Sequence, residues 1–317
     1  MKALRTLIWG PRPLHPRLLK AFLQISSTPL NDYWRLLNGD YTLHVPSPKG
    51  VIVPLKLTSF SHLIHLLELK AFGIRLLWYE TDKNILALDL YGDKFYVKPT
   101  GYSLEGILHM FRDKIYGDDF KGAYVIDIGA FTGDSAISFA KWGARKIIAV
   151  EPSPTSLEIL RGNVGASRYK DKIEILPVAI SDYDGYSTIL TDEAYEGAHY
   201  LSDFNESLYY DEVFYFESKS SAQIEVWSFK HLLDYTGEEE IDVVKFDCKG
   251  CEYPIILNTD PDTLRRVNRY IIAYHAGPER LTERLNQIGY EIHITAAAPG
   301  HEHLFPTAGT IFARKMK

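Results

Sequence analysis

Hydrophobic and polar positions alternate differently on either side of residue 120. Beyond that point, short apolar runs rich in Val and Ile are separated by segments whose apolar residues recur at helical spacing. Such alternation is typical of a doubly wound parallel sheet. The predicted strands are 124–128, 146–150, 172–180, 241–246 and 269–275, the predicted helices are 132–142, 154–165, 252–258 and 279–288, and 290–295 with 309–314 would close the sheet as a pair.

Before residue 121 the pattern is shorter and more mixed. Apolar residues recur at helical spacing over 14–38, and Asn38-Gly39-Asp40 then indicates a turn. Further elements are predicted as a hairpin of 41–45 with 51–57, a helix over 61–72 ended by Gly73, strands at 74–79, 85–90 and 94–97, and a helix around 103–116. We therefore expect an accessory α+β unit at 1–120 and an α/β domain at 121–317.

Composition narrows the classes of protein that fit these elements. The 317 residues are 46% hydrophobic and 24% charged, as in ordinary soluble globular proteins. The net charge of −6 provides no basic excess for a nucleic-acid backbone. No apolar run approaches the roughly 18 residues of a membrane span, and no signal peptide is recognisable. We expect a cytoplasmic protein without a nucleic-acid partner, and the scarcity of Gln and Met favours a thermophilic source.

The strongest chemical signal is the segment YVIDIGAFTGDSAISFAKWGARKIIAVEPSP. A strand ends near Asp127, a loop with Gly129, Ala130 and Gly133 follows, and the next strand ends at Glu151. Small residues let the backbone approach a ligand, and a strand-end carboxylate can accept hydrogen bonds from ribose hydroxyls. An acid just before the loop would repel a phosphate, which favours the cationic ligand S-adenosylmethionine over NAD. The alternative is an ordinary Gly-rich turn beside a strand-end carboxylate.

Several segments in a fixed order make the chain resemble a known family. They are VIDIGAFTGDSAISFA, AVEPSPTSLEILRGNV, LPVAISDYDG, VVKFDCKGCEYPIIL and YIIAYHAG. Together they resemble the FkbM family of S-adenosylmethionine-dependent methyltransferases, and its archaeal members in particular, over roughly residues 85–295. The resemblance implies a class I methyltransferase-like sheet, S-adenosyl-L-methionine as cofactor, and methyl transfer to an oxygen of a small-molecule or glycan-like acceptor.

The resemblance also implies which residues would hold the cofactor. The methionine part would lie against the first loop, at Asp127, Gly129, Ala130, Gly133 and Asp134. Glu151 would bind the ribose. The residues expected near the adenine are Pro152, Ser153, Ala179, Ile180 and Asp182. For Asp182, a plain turn before Asp184-Gly185 is an equally open interpretation.

Candidate catalytic residues lie after the fourth and fifth strands of the domain. Asp247, Glu252 and His275 are placed to orient or deprotonate an acceptor hydroxyl, and a purely structural role is the alternative for His275. Lys249 stands where the family pattern usually has Glu, and Ala273 where it usually has an acid. These departures keep open a non-catalytic subunit that retains the methyltransferase fold for binding or as a scaffold.

The chain has two cysteines, Cys248 and Cys251, spaced as C-x-x-C in DCKGCE. This spacing serves dithiol oxidoreductases and zinc sites, and it also occurs where small residues pack in a turn. Asp247 disfavours a neighbouring thiolate, and a zinc site would need more ligands, of which His275 is one candidate. We therefore favour packing, expect no metal, and leave an incidental disulfide open.

An aromatic and acidic insertion is predicted at 191–223. It contains eight aromatic residues, eight acids and a single Lys. Two interpretations stay open: a lid or wall for the acceptor, or an element that packs on the sheet or on a partner chain. Residues with helix-compatible spacing in it are Tyr209, Tyr210, Val213, Phe214 and Phe216. A partner chain would be a second copy of this protein or a different subunit.

Overall fold

The computed structural model describes residues 14–191, 200–201, 220–296 and 308–316, and every statement below concerns those residues. The chain divides into two compact units. The first runs to Ile115 and includes Gly165–Arg168, and the second contains the remainder from Tyr116 onward. No helix in the described ranges combines the length and the apolar content needed to cross a bilayer.

The first unit has the predicted α+β character. Its helices are α1 (Pro16–Ile25), α2 (Pro29–Leu37), α3 (Phe60–Phe72) and α4 (Gly101–Ile107), which continues as a π-helix over Leu108–Asp113. Its strands are β1 (Thr42–Pro46), β2 (Ile52–Lys56), β3 (Arg75–Glu80), β4 (Ile85–Leu90) and β5 (Asp93–Val97). Strands β1 and β2 form the predicted hairpin, and β3, β4 and β5 form an antiparallel sheet.

The helical pattern predicted over 14–38 corresponds to two separate helices, α1 and α2. Pro29 opens α2, a position that suits its fixed backbone angle and missing N–H. Between the helices, Ser26 Oγ and Thr28 Oγ1 donate to the two oxygens of Asp32, at 2.5 and 3.0 Å. Asp32 is fully buried. These hydrogen bonds replace helical ones at the break, which hydrophobic spacing alone does not reveal.

The second unit is built on a seven-stranded mixed sheet. Its strands are β6 (Tyr124–Ile128), β7 (Lys146–Val150), β8 (Ile173–Leu176), β13 (Ile241–Phe246), β14 (Val267–Tyr274), β15 (Tyr290–Ala296) and β16 (Gly309–Lys315). The helices are α5 (Asp134–Lys141), α6 (Pro154–Ala166), α7 (Phe229–Tyr235), α8 (Glu252–Asn258), α9 (Pro261–Leu264) and α10 (Glu279–Gln287). The predicted strand–helix alternation and the antiparallel closing pair β15–β16 are confirmed.

The strand order β15-β16-β14-β13-β6-β7-β8 contains a reversal between β6 and β13. From β6 the chain moves outward through β7 to β8, and it then returns to β13 and moves outward on the other side. Open α/β sheets bind ligands beyond the carboxyl ends of the strands at such a reversal. Strands β6 and β13 are parallel neighbours, and Asp127 is paired in register with Lys245. The candidate site is therefore sought at the ends of these two strands.

The predicted strand 172–180 is wrong in its extent. It is interrupted at Pro177, and Ala179–Ser181 (β9) leaves the main sheet for a second, four-stranded sheet. Proline lacks the N–H that a ladder requires, which explains the break. The other strands of the second sheet are β10 (Gly185–Thr191), β11 (Tyr200–Leu201) and β12 (Ser220–Ser228). The residues of the insertion that have helix-compatible spacing, Tyr209, Tyr210, Val213, Phe214 and Phe216, lie outside the described residues.

Candidate functional site

The loop after β6 is shaped by the close approach of another stretch of backbone. Gly129 has φ +79°, and a Cβ there would lie 2.1 Å from the carbonyl oxygen of Asp247. The N–H groups of Gly129 and Ala130 both donate to Val150 O at 3.0 Å. At Gly133, with φ +90°, a Cβ would lie 2.7 Å from Leu160 Cδ1. The approach of the Asp247 backbone thus requires glycine at 129, whereas at 133 the positive φ favours glycine, whether or not a ligand is bound.

Asp127 forms an ion pair inside the protein. Its Oδ1 lies 2.8 Å from Lys245 Nζ, and its Oδ2 accepts a hydrogen bond of 2.6 Å from Ser135 Oγ. Lys245 also donates to Gly129 O at 2.8 Å. Both charged side chains are at most 2% exposed. Burial alone would lower the pKa of Lys245, but Asp127 and Asp247 raise it above its usual value. Lys245 therefore stays charged, and its contacts with Asp127 and Gly129 connect β13 to the loop after β6.

Lys245 is a site residue that was not among those predicted. The signal was present, since a lysine in the apolar run VVKF requires a buried acidic partner if that run is a central strand. The partner, Asp127, was already a candidate for another reason. The structure thus gives Asp127 a partner within the fold, and direct contact with a cofactor stays a prediction.

Glu151 lies directly after β7, with its carboxylate turned toward the loop after β6. Phe131 N donates to Oε2 and Ser153 N donates to Oε1, each at 2.9 Å. The side chain is 5% exposed, and burial raises its pKa to about 7 although both backbone hydrogen bonds oppose the rise. Each carboxylate oxygen can accept a second hydrogen bond. Glu151 is therefore oriented by the backbone and retains the capacity to accept from ribose hydroxyls.

Two polar groups at the start of α5 fit a ligand beside this loop. The hydroxyl of Thr132 is buried and has no hydrogen-bond partner among the described residues. Asp134 is the first residue of α5, and burial raises its pKa to about 6 against the opposing charge of Lys245. A buried hydroxyl without a partner is costly, so a polar ligand that bonds to it would relieve that cost. The residues present therefore fit S-adenosylmethionine.

The residues expected near the adenine are distributed over two elements. Ser153 is fully buried just before α6, directly after Pro152. Ala179 and Ile180 are buried in β9, so the expectation that they end the third strand of the main sheet is wrong. Asp182 is exposed and accepts hydrogen bonds from Ser181 Oγ and Asn258 Nδ2, at 3.1 and 2.7 Å. Contact of any of them with adenine stays a prediction.

A second group of polar side chains lies at the carboxyl ends of β13 and β14. Asp247 accepts hydrogen bonds from Tyr116 Oη at 2.9 Å and from Lys249 Nζ at 3.1 Å. His275 Nε2 is 3.9 Å from the same carboxylate. Burial would raise the pKa of Asp247, but Lys249, Lys245 and His275 hold it well below its usual value. Asp247 is therefore an ionised acceptor of hydrogen bonds and a weak base.

Lys249 and Glu252 lie against the two ring nitrogens of His275. Lys249 Nζ lies 3.1 Å from His275 Nε2, and Glu252 Oε1 lies 3.4 Å from Nδ1. An ammonium group only donates, so the contact with Lys249 matches the tautomer in which Nε2 accepts and Nδ1–H points to Glu252. The structure thus brings all three predicted catalytic residues into one network. It also places Lys249 in the middle of it, whereas Ala273 lies within β14, paired with Thr310.

The two cysteines are joined by a disulfide, with 5.5 Å between their Cα atoms. The favoured interpretation of packing alone is thereby corrected, and the disulfide that had been left open is present. Glu252 begins α8 directly after Cys251 and is fully buried, with Oε2 accepting from Gly250 N at 2.8 Å. The cross-link therefore lies beside two of the candidate catalytic residues.

Comparison with known proteins agrees with this geometry. Residues 127–294, more than half of the chain, match the model of the methyltransferase FkbM domain. The AMB antimetabolite synthetase AmbE of Pseudomonas aeruginosa is 25% identical over 260 residues, which cover 67% of this chain and 12% of that protein. A ribosomal protein L11 methyltransferase of Carboxydothermus hydrogenoformans is 36% identical over 55 residues, covering 17% of this chain and 18% of the relative. The chain thus spans under a fifth of the length of either curated relative.

Among solved structures, a methyltransferase FkbM from Methylobacillus flagellatus KT is similar with a TM-score of 0.41 and 11% identity. The match covers 98% of this chain and 60% of the other. The family match includes the loop after β6, Glu151, and the group at the ends of β13 and β14. Together with the seven-stranded sheet flanked by helices, it confirms the predicted methyltransferase-like α/β fold.

Proposed function

The chain belongs to the methyltransferase FkbM domain family, and from that premise we propose that it transfers a methyl group from S-adenosyl-L-methionine to a hydroxyl oxygen of a small or glycan-like acceptor. The observation that carries the proposal is Glu151, whose buried carboxylate is held by two backbone N–H groups beside the loop after β6. The resemblance to archaeal members, a thermophilic source and a cytoplasmic location stay predictions.

The first role of the chain would be to bind the cofactor and to orient it. The residues that would hold the cofactor are Asp127, Gly129, Ala130, Gly133, Asp134, Glu151, Pro152, Ser153, Ala179, Ile180 and Asp182. Glu151 would accept from ribose hydroxyls, while Thr132 Oγ1 and Asp134 would face the polar atoms of the methionine part. When bound, the cofactor supplies a methyl group attached to a positively charged sulfur. The sulfur leaves readily because it becomes neutral when the methyl group is transferred.

On the acceptor side, Asp247 is the residue best suited to position the hydroxyl. Its ionised carboxylate would accept the O–H hydrogen bond and orient the oxygen for in-line attack, where positioning supplies most of the rate. Transfer forms the O–CH₃ bond, breaks the S–CH₃ bond and releases one proton. Hydrogen bonds run from Asp247 through Lys249 and His275 to Glu252, and that proton would leave along them. The accessory unit at 1–120 and the insertion at 191–223 are proposed to select the acceptor.

Isothermal titration with S-adenosylmethionine tests the cofactor proposal. The folded wild-type protein should bind one equivalent, and Glu151→Gln should bind about 10- to 100-fold more weakly, since a hydrogen bond to a charged group contributes about 1.5–3 kcal/mol. Glu174→Gln is the matched control, because Glu174 is a half-buried carboxylate of β8 that pairs with Lys146. Absence of binding by the folded wild type would refute the proposal.

A second candidate function is cofactor binding without methyl transfer. The observation that favours it is Lys249, whose Nζ lies 3.1 Å from both Asp247 Oδ1 and His275 Nε2 and so engages two candidate bases. Incubation with methyl-labelled S-adenosylmethionine and a panel of hydroxylated small molecules and oligosaccharides separates the two functions. Labelled product supports the enzyme, whereas tight binding without label in any acceptor supports the binding subunit.

A further inference from the structure

Three metal-ligating atoms converge at the strand-to-helix turn after β13. The sulfur atoms of Cys248 and Cys251 and a carboxylate oxygen of Glu252 all lie within 4.8 Å of one another. Cys248 Sγ lies 3.4 Å from Glu252 Oε2. The C-x-x-C spacing alone supplies only two metal ligands. The fold adds a third from the start of α8.

The spacing of these atoms matches the needs of a small thiophilic cation. Tetrahedral zinc has Zn–S bonds of about 2.3 Å and Zn–O bonds of about 2.0 Å, which places sulfur and oxygen ligands roughly 3.5 Å apart. The distance between Cys248 Sγ and Glu252 Oε2 already meets this requirement. Two sulfur ligands must be about 3.8 Å apart, so the disulfide has to open before a metal enters. The reduced and the cross-linked proteins are thus expected to differ in metal binding.

We propose that reduction of the Cys248–Cys251 disulfide creates a site for a thiophilic divalent cation, represented by Zn²⁺, held by both sulfurs and Glu252. A cellular dithiol supplies two electrons and two protons, its own sulfurs become a disulfide, and the two thiols form. Metal entry then releases two protons from the thiols, since thiolates are the ligands. Three protein ligands leave the fourth position of a tetrahedral ion for water or for an acceptor oxygen.

The exposure of the cysteines and the hydrogen bonds that hold Glu252 both fit a metal site. Cys248 is half-buried, so a reductant and an ion reach it, while Cys251 is 8% exposed and Glu252 is fully buried. Gly250 N donates to Glu252 Oε2, and His275 Nδ1 lies 3.4 Å from the other oxygen. Partners of this kind orient a carboxylate ligand. His275 is therefore a positioning residue for this site, acting through Glu252.

The test compares two states of the wild-type protein, so it does not depend on a variant that folds. With two cysteines in the chain, a thiol titration should count two thiols after reduction and none after oxidation. The metal-stripped reduced protein should then bind one Zn²⁺ by calorimetry, and Co²⁺ should give a thiolate-to-metal charge-transfer band. The oxidised protein should show neither signal.

Variants assign the ligands in the reduced protein. Cys248→Ser and Glu252→Gln should each weaken Zn²⁺ binding by about 100-fold or more, and His275→Gln by about 10-fold. His231→Gln is the matched control, because this exposed imidazole pairs with Asp184 and could bind metal adventitiously. The proposal is overturned if the reduced protein binds no Zn²⁺, if the oxidised protein binds equally well, or if His231→Gln removes binding while Cys248→Ser keeps it.

Discussion

Replacing Gly129 by Ala tests how the loop after β6 is built. The new Cβ would lie 2.1 Å from Asp247 O and 2.7 Å from Asp247 C, well inside contact distance. The backbone of Asp247 cannot easily retreat, because its N–H donates to Ile128 O at 3.0 Å. The backbone angle of +79° costs a non-glycine residue about 1–2 kcal/mol, and forced overpacking adds about 1–3 kcal/mol. Gly129→Ala should therefore destabilise the protein by about 2–5 kcal/mol.

Gly289→Ala separates the two contributions. Gly289 has φ +91° in the same unit, but a Cβ there meets nothing within 4 Å, so only the cost of the backbone angle applies. Urea unfolding followed by circular dichroism gives the free energy of unfolding of each variant. The difference between the variants measures the clash with residue 247. If both lose the same stability to within about 0.5 kcal/mol, the described approach of the two backbones is wrong.

Two further predictions concern buried charges. Lys245→Met leaves Asp127 buried without its cation and should lower the free energy of unfolding in urea by about 3–5 kcal/mol. The double variant with Asp127→Asn should recover part of that loss. If the losses of the two single variants simply add, the ion pair is contradicted. Because burial raises the pKa of Glu151 from 4.5 to about 7, the folded protein holds this proton more tightly than the unfolded chain. The free energy of unfolding should therefore fall by about 3 kcal/mol, as an upper limit, as pH rises from about 4.5 to about 7. Glu151→Gln should remove that part of the slope, and an unchanged slope would refute it.

Local patterns were sufficient for the elements in the centre of the main sheet. The strands predicted at 124–128, 146–150 and 241–246 and the helix at 252–258 match the structure residue for residue. These strands are buried, so their apolar runs contrast sharply with the polar turns around them. The prediction of a cofactor loop between β6 and α5 rested on the same contrast.

The patterns failed where a side chain overrides hydrophobic spacing. Asp32 accepts hydrogen bonds from Ser26 and Thr28 and stabilises the break between α1 and α2. Pro177 separates two apolar runs that join different sheets. At Pro177 apolar residues continue across the interruption, so the pattern predicts one strand where the structure has two. At the first break three polar residues, Ser26, Ser27 and Thr28, separate the two apolar stretches.

The sequence by itself determined the strand–helix order, the residue types at the strand ends and the family resemblance. Each of these depends on residues that are close together in the chain. Only the tertiary structure decided which of those residues meet. Pairing of β6 with β13 brings Lys245 to Asp127, and pairing of β13 with β14 brings His275 to Lys249 and Glu252. Strand register and loop crossing set these distances between residues far apart in the chain. Glu252 follows Cys251 directly in the chain, and the turn after β13 brings its carboxylate to the two sulfurs as a third candidate ligand.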